Sequence, residues 1–329
     1  MPEQRPSVTV SIINYRTPEL TLASVASVLD EAEISVADLR IAIVDNASND
    51  GSVDAILNWI EARKSDTQID LICSQTNSGF SGGHNHAIAA HKSDFFLLLN
   101  SDATLGSGSI DALLEGMRES PDVGLVGPRI VDEDGASQNG GFRFASPTSE
   151  LVRGASTGPV TRLLSKSVVA LGPEPDPYEI DWISFACVLI RDEMIKRIGP
   201  MDEGYFLYFE DAEYCLRAGR AGWKLRFQPV AEVCHLQGAS GSAMALSKAR
   251  RRMPAYFYAS RTRFLFQKHG HFGLLLANIC WHLGRLLAHL RILVGKPVPA
   301  AHRSEALDIW TNFLTPLGSR HAPNEGNEG

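Results

Sequence analysis

Two neighbouring carboxylates, Glu210 and Asp211, follow the aromatic run YFLYF in MDEGYFLYFEDAEYCLRAGRAGW, a segment that also carries Asp202, Glu203 and Glu213. A carboxylate beside apolar surface is desolvated; its pKa rises and it becomes suited to taking a proton near neutral pH. The same pair opens a predicted helix over 210–222, where first-turn acidic groups are favoured by the helix dipole without any chemistry. Both readings stand on the local sequence. Asp102 is a second candidate: FFLLLNSDA (Phe95–Ala103) runs five large apolar residues into Asn100, Ser101 and Asp102. That pattern is a strand buried on both faces that ends on a lone carboxylate. His235 closes another apolar strand in AEVCHLQGASGS, as a ligand or as a structural histidine. The glycine-rich GFSGGHN (Gly79–Asn85) leads into a helix whose N-terminus favours an anion such as a diphosphate. It has neither GxGxxG spacing nor the GK[ST] of a P-loop.

The elements that must position these groups alternate. SVTVSIINY, RIAIVD, IDLICS and FFLLL read as strands, and LTLASVASVLD, SVDAILNWIEARKS and NHAIAAHKS as the helices between them. SIDALLEGMRES and VGLVGPRI continue the pattern, which predicts an α/β fold with a mainly parallel sheet and helices on both faces. In open α/β sheets ligands bind at the carboxyl ends of the strands. The exits are Asn14-Tyr15, Asp45-Asn46 and Asn100-Ser101-Asp102, although each exit Asp is also an ordinary turn or cap residue. From Arg143 to Glu179 the pattern fades into a proline-rich stretch that reads as a long loop, after which DWISFACVLI resumes as a strand.

Composition narrows the class. A 44% apolar and 21% charged chain is globular, not disordered. Five scattered cysteines without a CxxC pair point to free thiols in a reducing compartment, excluding a disulfide frame or zinc ribbon. The N-terminus has no basic region followed by a long apolar core, so the chain reads as cytosolic or facing the cytosol. The formal charge of −7 hides an asymmetry: between Glu232 and Glu305 eleven lysines and arginines meet no acidic residue, which leaves −18 for the rest. A basic segment on an acidic body suggests an anionic partner; no recognised motif supports nucleic acid.

In chain order the sequence presents SIINY, VDNASNDGS, NSGFSGGHN, LLLNSDA, WISFAC, FLYFEDAEYCLR and CHLQGAS. Over Ser7 to Ser242 that series resembles the family 2 glycosyltransferases of the GT-A fold, in particular their bacterial rhamnosyltransferase-like branch. The resemblance implies a metal-dependent, inverting transfer of a sugar, with rhamnose favoured, from a dTDP- or UDP-sugar to a glycan or polyprenyl-diphosphate-linked acceptor in envelope polysaccharide synthesis. It implies a donor site from Asn14, Tyr15, Asp45, Asn77, Gly79, Gly82, Asn85, Asn100 and Asp102, with Asp45 reading the nucleotide base. Asp102 and His235 would hold Mg²⁺ or Mn²⁺, and Asp211 would be the catalytic base. Trp182, Phe185 and Glu210 would lie on the acceptor side, where the family has Gly in place of Phe185. A galactofuranosyl or other hexosyl donor, a sugar-phosphate nucleotidyltransferase, or a non-catalytic sugar-nucleotide scaffold at a membrane are the competing readings.

The expected organisation is a catalytic unit over 1–245, with a donor half to about 142 and an acceptor half from about 143. A basic amphipathic helical extension follows over 246–318, and a disordered tail over 319–329. Within the extension, FGLLLANICWHLGRLLAHLRILV (Phe272–Val294) is apolar with a thin stripe of His271, Asn278, His282, Arg285, His289 and Lys296. It is expected either to lie on the cytoplasmic face of an inner membrane through 246–297 or to pack on protein, including a second copy in a homo-oligomer. The KARRR cluster (Lys248–Arg252) with Arg261 and Arg263 is a candidate grip for a lipid diphosphate.

Overall fold

A computed structural model describes residues 5–63, 65–236, 246–247 and 249–323. Strands β1 (Ser7–Asn14), β2 (Asp38–Asp45), β3 (Gln68–Cys73) and β4 (Phe95–Asn100) alternate with helices α1 (Pro18–Ile34), α2 (Ser52–Ala62) and α3 (Gly79–Ala90). Then come β5 (Ala103–Leu105), α4 (Ser109–Arg118), β6 (Val123–Val131), α5 (Pro147–Ala155), α6 (Gly158–Leu163), β7 (Cys187–Arg191), α7 (Asp192–Ile198), α8 (Glu210–Arg220) and β8 (Lys224–His235). A long helix α9 (Ala255–His289) and a short one at Glu305–Asp308 complete the chain.

All eight strands form one sheet in the order β3-β2-β1-β4-β7-β6-β8-β5. The β3-β2-β1-β4 half is parallel, as expected; beyond it β7 runs antiparallel to both β4 and β6, so the other half is mixed. Register puts Asn14 opposite Asp45 and Ile13 opposite Asn100, so three strand exits lie side by side on one edge. The FFLLL run is buried on both faces: Leu97 and Leu99 enter one core with Val8, Val10 and Ile12, while Phe96 and Leu98 enter the other with Val188 and Ile190. Period-two alternation inside a fully apolar run divides its side chains between two helical layers.

The proline-rich stretch after Arg143 is helical in its first half and the irregular excursion its composition predicts only from 164 to 186. Pro147 opens α5 behind a capping box of Ser146 and Ser149, and Pro159 stands in the first turn of α6. Proline is at home in the first turn of a helix, where its missing N–H has no partner to lose. YFLYF forms no strand. It is a loop in which Tyr208 and Phe209 both take positive φ, 72° and 68°. All five cysteines are free.

α9 starts at Ala255, well before the apolar run, and breaks at Gly270 (φ 69°) into two arms. The first arm lies against the YFLYF loop, with Phe257 near both Tyr208 and Phe209, and Phe264 near Phe209. The second crosses α5 at a glycine contact: a Cβ on Gly154 would stand 2.3 Å from the Trp281 carbonyl oxygen, and one on Gly284 2.3 Å from that of Leu151. Beside the crossing the buried Arg261 donates to Glu150 (2.6 Å) and Asn278 (2.9 Å), while Arg153 binds both Glu150 and Glu305. Burial works to raise the Glu150 carboxyl, but Arg153 and Arg261 outweigh it and hold it at about 2.

Candidate active site

The glycine-rich motif packs against the loop before α8. Gly79 has φ +72°, and a Cβ there would stand 2.2 Å from the Phe206 carbonyl oxygen, which accepts instead from the Phe80 amide (2.9 Å). The Gly79 amide donates to Asn77 Oδ1 (3.0 Å). Two of the amides at the start of α3 are thereby satisfied within the protein. Asn85, expected at the donor, binds the Met201 backbone through both amide atoms and reaches Glu203 (3.0 Å). Gly82 makes room for the Ser78 side chain. GFSGGHN thus anchors the loop that leads to Glu210 and Asp211.

Between that loop and the strand exits lies a cleft. Tyr15, Asn77, Gly79 and Asn100 of the expected donor residues line it, with Phe206 and Leu207 of the loop facing Asn100 and Ser101. Asp45 does not line it. Its carboxylate accepts from Asn14 (2.7 Å) and from the Ser48 hydroxyl and amide, locking the β1 and β2 exits together, while the neighbouring Asn46 reaches the wall. Asn14 likewise supports the wall without lining it.

Asp102 and His235 are brought together by β-sheet pairing. β5 runs antiparallel to β8 with Ala103 opposite His235, and the Leu236 amide donates to the Asp102 carbonyl (2.9 Å). Asp102 Oδ1 is 3.3 Å from His235 Nε2, and Asn100 Nδ2 is 3.4 Å from the same nitrogen. Adjacent ligands on an octahedral ion with bonds of about 2.1 Å lie about 3 Å apart, so this carboxylate and imidazole fit two neighbouring positions on one divalent cation. Among the described residues no cluster of three His, Cys, Asp or Glu side chains offers a complete protein cage. The remaining positions would fall to diphosphate oxygens and water.

The acidic pair sits where α8 begins. Glu210 is buried and its Oε2 has no hydrogen-bond partner among the described residues. Asp211, half-buried, accepts from the amides of Ala212 (2.8 Å) and Phe185. Burial drives both carboxyls well above their ordinary range, and the charge of Asp211 adds to the rise at Glu210. The Phe185 side chain is buried edge-on to Tyr214, so its bulk goes into the core and its amide, not its ring, meets the base. Trp182 stacks on Phe142 at 4.3 Å and donates to the Arg143 carbonyl, which makes it part of the wall behind. Tyr208 lies within the fields of both Glu210 and Asp102, which, after burial and Tyr256, push its hydroxyl upward. Tyr208, in the loop that ends on Glu210 and Asp211, is thus near both that pair and Asp102.

Family comparison agrees with this geometry. Residues 8–166 match the model described as Glycosyl transferase family 2. That match, just under half of the chain, locates a family 2 glycosyltransferase domain over 8–166. Together the domain and the relatives support a glycosyltransferase. An N-acetylglucosaminyl-diphospho-decaprenol L-rhamnosyltransferase of Mycobacterium tuberculosis is 29% identical over 294 residues, covering 83% of this chain and 90% of its own. The low-salt glycan biosynthesis hexosyltransferase Agl10 of Haloferax volcanii is 26% identical, covering 70% and 67%. The mannosyltransferase PcManGT from Pyrobaculum calidifontis, solved with GDP-Man and Mn²⁺, superposes with a TM-score of 0.55 at 14% identity, over 96% of this chain and 86% of that one. At that identity the likeness shows the fold, which is the GT-A fold.

Two residues of this family 2 cleft were invisible to motif reading. His84 lines it as a neutral imidazole: burial pulls its pKa down to about 3, Ser11 Oγ meets Nδ1 at 2.8 Å, and Nε2 has no partner among the described residues. Arg320 falls in the expected disordered tail, yet it donates to the Ser78 carbonyl (2.6 Å) and sits 5.9 Å over the Phe206 ring. Residues 324–329 of that tail lie outside the described residues, as do Gln237–Ala245 after His235 and Lys248 of the KARRR cluster. Three of the other arginines of the grip reading are engaged within the protein, Arg252 with Asp308, Arg261 with Glu150 and Arg263 with Asp202, while Arg250 and Arg251 are exposed. Guanidinium groups bonded to the protein's own carboxylates are not available for a lipid diphosphate.

Proposed function

We propose that this glycosyltransferase is metal-dependent and inverting, and that it moves a sugar, rhamnose as the leading candidate, from a dTDP- or UDP-sugar to a lipid-linked glycan at the cytoplasmic face of an envelope membrane. The observation that supports the reading is the approach of Asp102 to His235 (3.3 Å) beside Asn100, which lines the cleft together with Phe206 and Leu207 of the loop that runs on to Glu210 and Asp211. The relative that works on a decaprenol-linked N-acetylglucosamine supports both the sugar and the acceptor class. A divalent cation, Mg²⁺ or Mn²⁺, would neutralise charge on the departing nucleoside diphosphate.

The protein's own residues supply the rest. Asp102 and His235 would hold the cation end of the donor, with Tyr15, Asn46 and Asn77 lining the cleft beside it. Asp211 takes the proton of the acceptor hydroxyl as that oxygen attacks the anomeric carbon from the face opposite the leaving group. Its two amide donors hold the carboxylate oriented, and its burial raises its basicity. One base and one displacement invert the anomeric centre; retention would require a second, nucleophilic carboxylate stage. Glu210, whose burial favours the neutral form, sits beside the base without competing for its proton.

The deciding experiment measures nucleoside diphosphate release from a panel of dTDP-, UDP- and GDP-sugars with Mg²⁺, Mn²⁺ or EDTA, with and without a polyprenyl-diphosphate-linked acceptor. Turnover of one donor that EDTA removes and Mn²⁺ restores is expected. Full activity in EDTA would sink the metal assignment, and release from no donor would sink the function.

A further inference from the structure

α9 presents its apolar side to the outside. Phe272, Leu276, Ile279, Leu283, Leu286 and Leu290 follow one another at spacings of four and three residues, and each is between 39% and 78% exposed. They form a single stripe about 27 Å long at 1.5 Å per residue. Leu287 and Leu293 widen it, at 39% and 81% exposed. The thin polar stripe, which the sequence alone would aim at lipid phosphates, instead faces protein in part. Asn278 is buried against the Ile309 carbonyl and Arg261, and Arg285 donates to the backbone of Pro299 (2.9 Å) and Gly154 (3.4 Å). The helix is therefore turned over relative to a free amphipathic segment, and an unbroken apolar ridge is left uncovered. Scattered exposed leucines are ordinary, whereas a contiguous ridge of this length marks an interaction surface.

We propose that this ridge lies in the surface of an anionic lipid bilayer, with α9 parallel to the membrane plane. Charge identifies the occupant. From Ala255 to Arg303 the chain contains no aspartate or glutamate, while Arg291 and Lys296 follow the ridge and His271 and His289 are exposed on the same helix. Anionic lipid headgroups complement those charges. A second copy related by two-fold symmetry would set Arg291 and Lys296 against the same cations, with no carboxylate of this segment to meet them. The helix lies on the bilayer and does not cross it: among the described residues no helix is long and apolar enough to span. The ridge and these charges carry this inference independently of the roles given to Asp102 and Asp211, and it supplies the surface on which a lipid-linked acceptor is met.

The test uses the full chain and no substrate. Vesicles of phosphatidylcholine alone, and of phosphatidylcholine mixed with phosphatidylglycerol, are sedimented with the wild type and with a Leu276→Asp/Leu283→Asp/Leu290→Asp variant. The wild type is expected to pellet with the anionic vesicles, less so in high salt, and the triple variant to lose at least about tenfold in partitioning. Its melting temperature and donor hydrolysis should be unchanged, and a milder Leu→Ser triple variant repeats the measurement if the aspartates disturb folding. Wild-type protein that ignores both vesicles, or variants that bind as well as it does, would overturn the proposal. So would sedimentation velocity showing a dimer that the same substitutions dissolve, since the ridge would then cover a second copy. Asp211→Asn binds vesicles like the wild type, so loss of this surface and loss of the catalytic reading are told apart.

Discussion

At the residue scale the chemistry turns on burial. Asp211 must be ionised to accept a proton, and burial raises its pKa, so activity falls as pH drops through a value nearer neutrality than the 3.9 or so of an exposed aspartate. Asp211→Asn should lower transfer by about 10²–10⁴-fold, while nucleoside diphosphate affinity, measured calorimetrically, stays close to that of the wild type. Normal turnover by that variant would remove Asp211 from the role. Glu210 carries the opposite linkage to an ordinary salt-bridged carboxylate. Its folded pKa is raised, so between its unfolded and folded values the native state holds more protons than the unfolded one, and stability falls as pH rises through that window. Glu210→Gln is therefore expected to stabilise the fold at pH 8, on the order of 1 kcal/mol, with the gain vanishing near pH 4, as read from urea unfolding at both pH values. The acidic pair was legible in the sequence because aromatic residues flank it. His84 was not, because a histidine among glycines gives no sign of what will surround its ring.

At the scale of elements, the C-terminal helix is the support of the loop before α8. Tyr208 and Phe209 hold positive φ, which costs a non-glycine residue free energy and persists only where surrounding packing imposes it. Tyr256, Phe257, Phe264 and the Ser260 hydroxyl, which donates to the Leu207 carbonyl, supply that packing from α9. α9 is in turn fastened to α5 by the Glu150 network. Glu150→Ala leaves Arg261 buried without its carboxylate and should cost about 3–5 kcal/mol in denaturant unfolding. A loss near zero would mean that the glycine crossing alone holds the two helices. Periodicity predicted the existence of the second arm of α9 but not its orientation. An apolar helix with one polar stripe fits equally well with either side inward, and the buried partners of Asn278 and Arg261 come from residues far away in sequence.

For the whole molecule, the chain closes on itself. After Ile309 and Phe313 pack against α9, the C-terminal segment runs on and Arg320 reaches the rim of the cleft at Ser78 and Phe206. Arg320 positions the rim that Asn77 belongs to. Arg320→Ala should weaken nucleoside diphosphate binding by about tenfold, the worth of one charged hydrogen bond, with little change in kcat. An unchanged binding constant would separate the tail from the site.

What the sequence determined by itself is local and ordered. Short apolar runs alternating with amphipathic ones dictate strands, helices and hence a sheet with ligand residues at its strand exits, because backbone pairing and side-chain periodicity are written into neighbouring residues. The series from SIINY to CHLQGAS carried the family. Only the tertiary structure decided which residues meet: that β5–β8 pairing sets His235 beside Asp102, that GFSGGHN grips the Phe206 loop, and that α9 turns its leucines outward. Each of these depends on groups separated by tens to hundreds of residues, whose approach is settled by burial and charge pairing across the whole core and not by any local pattern.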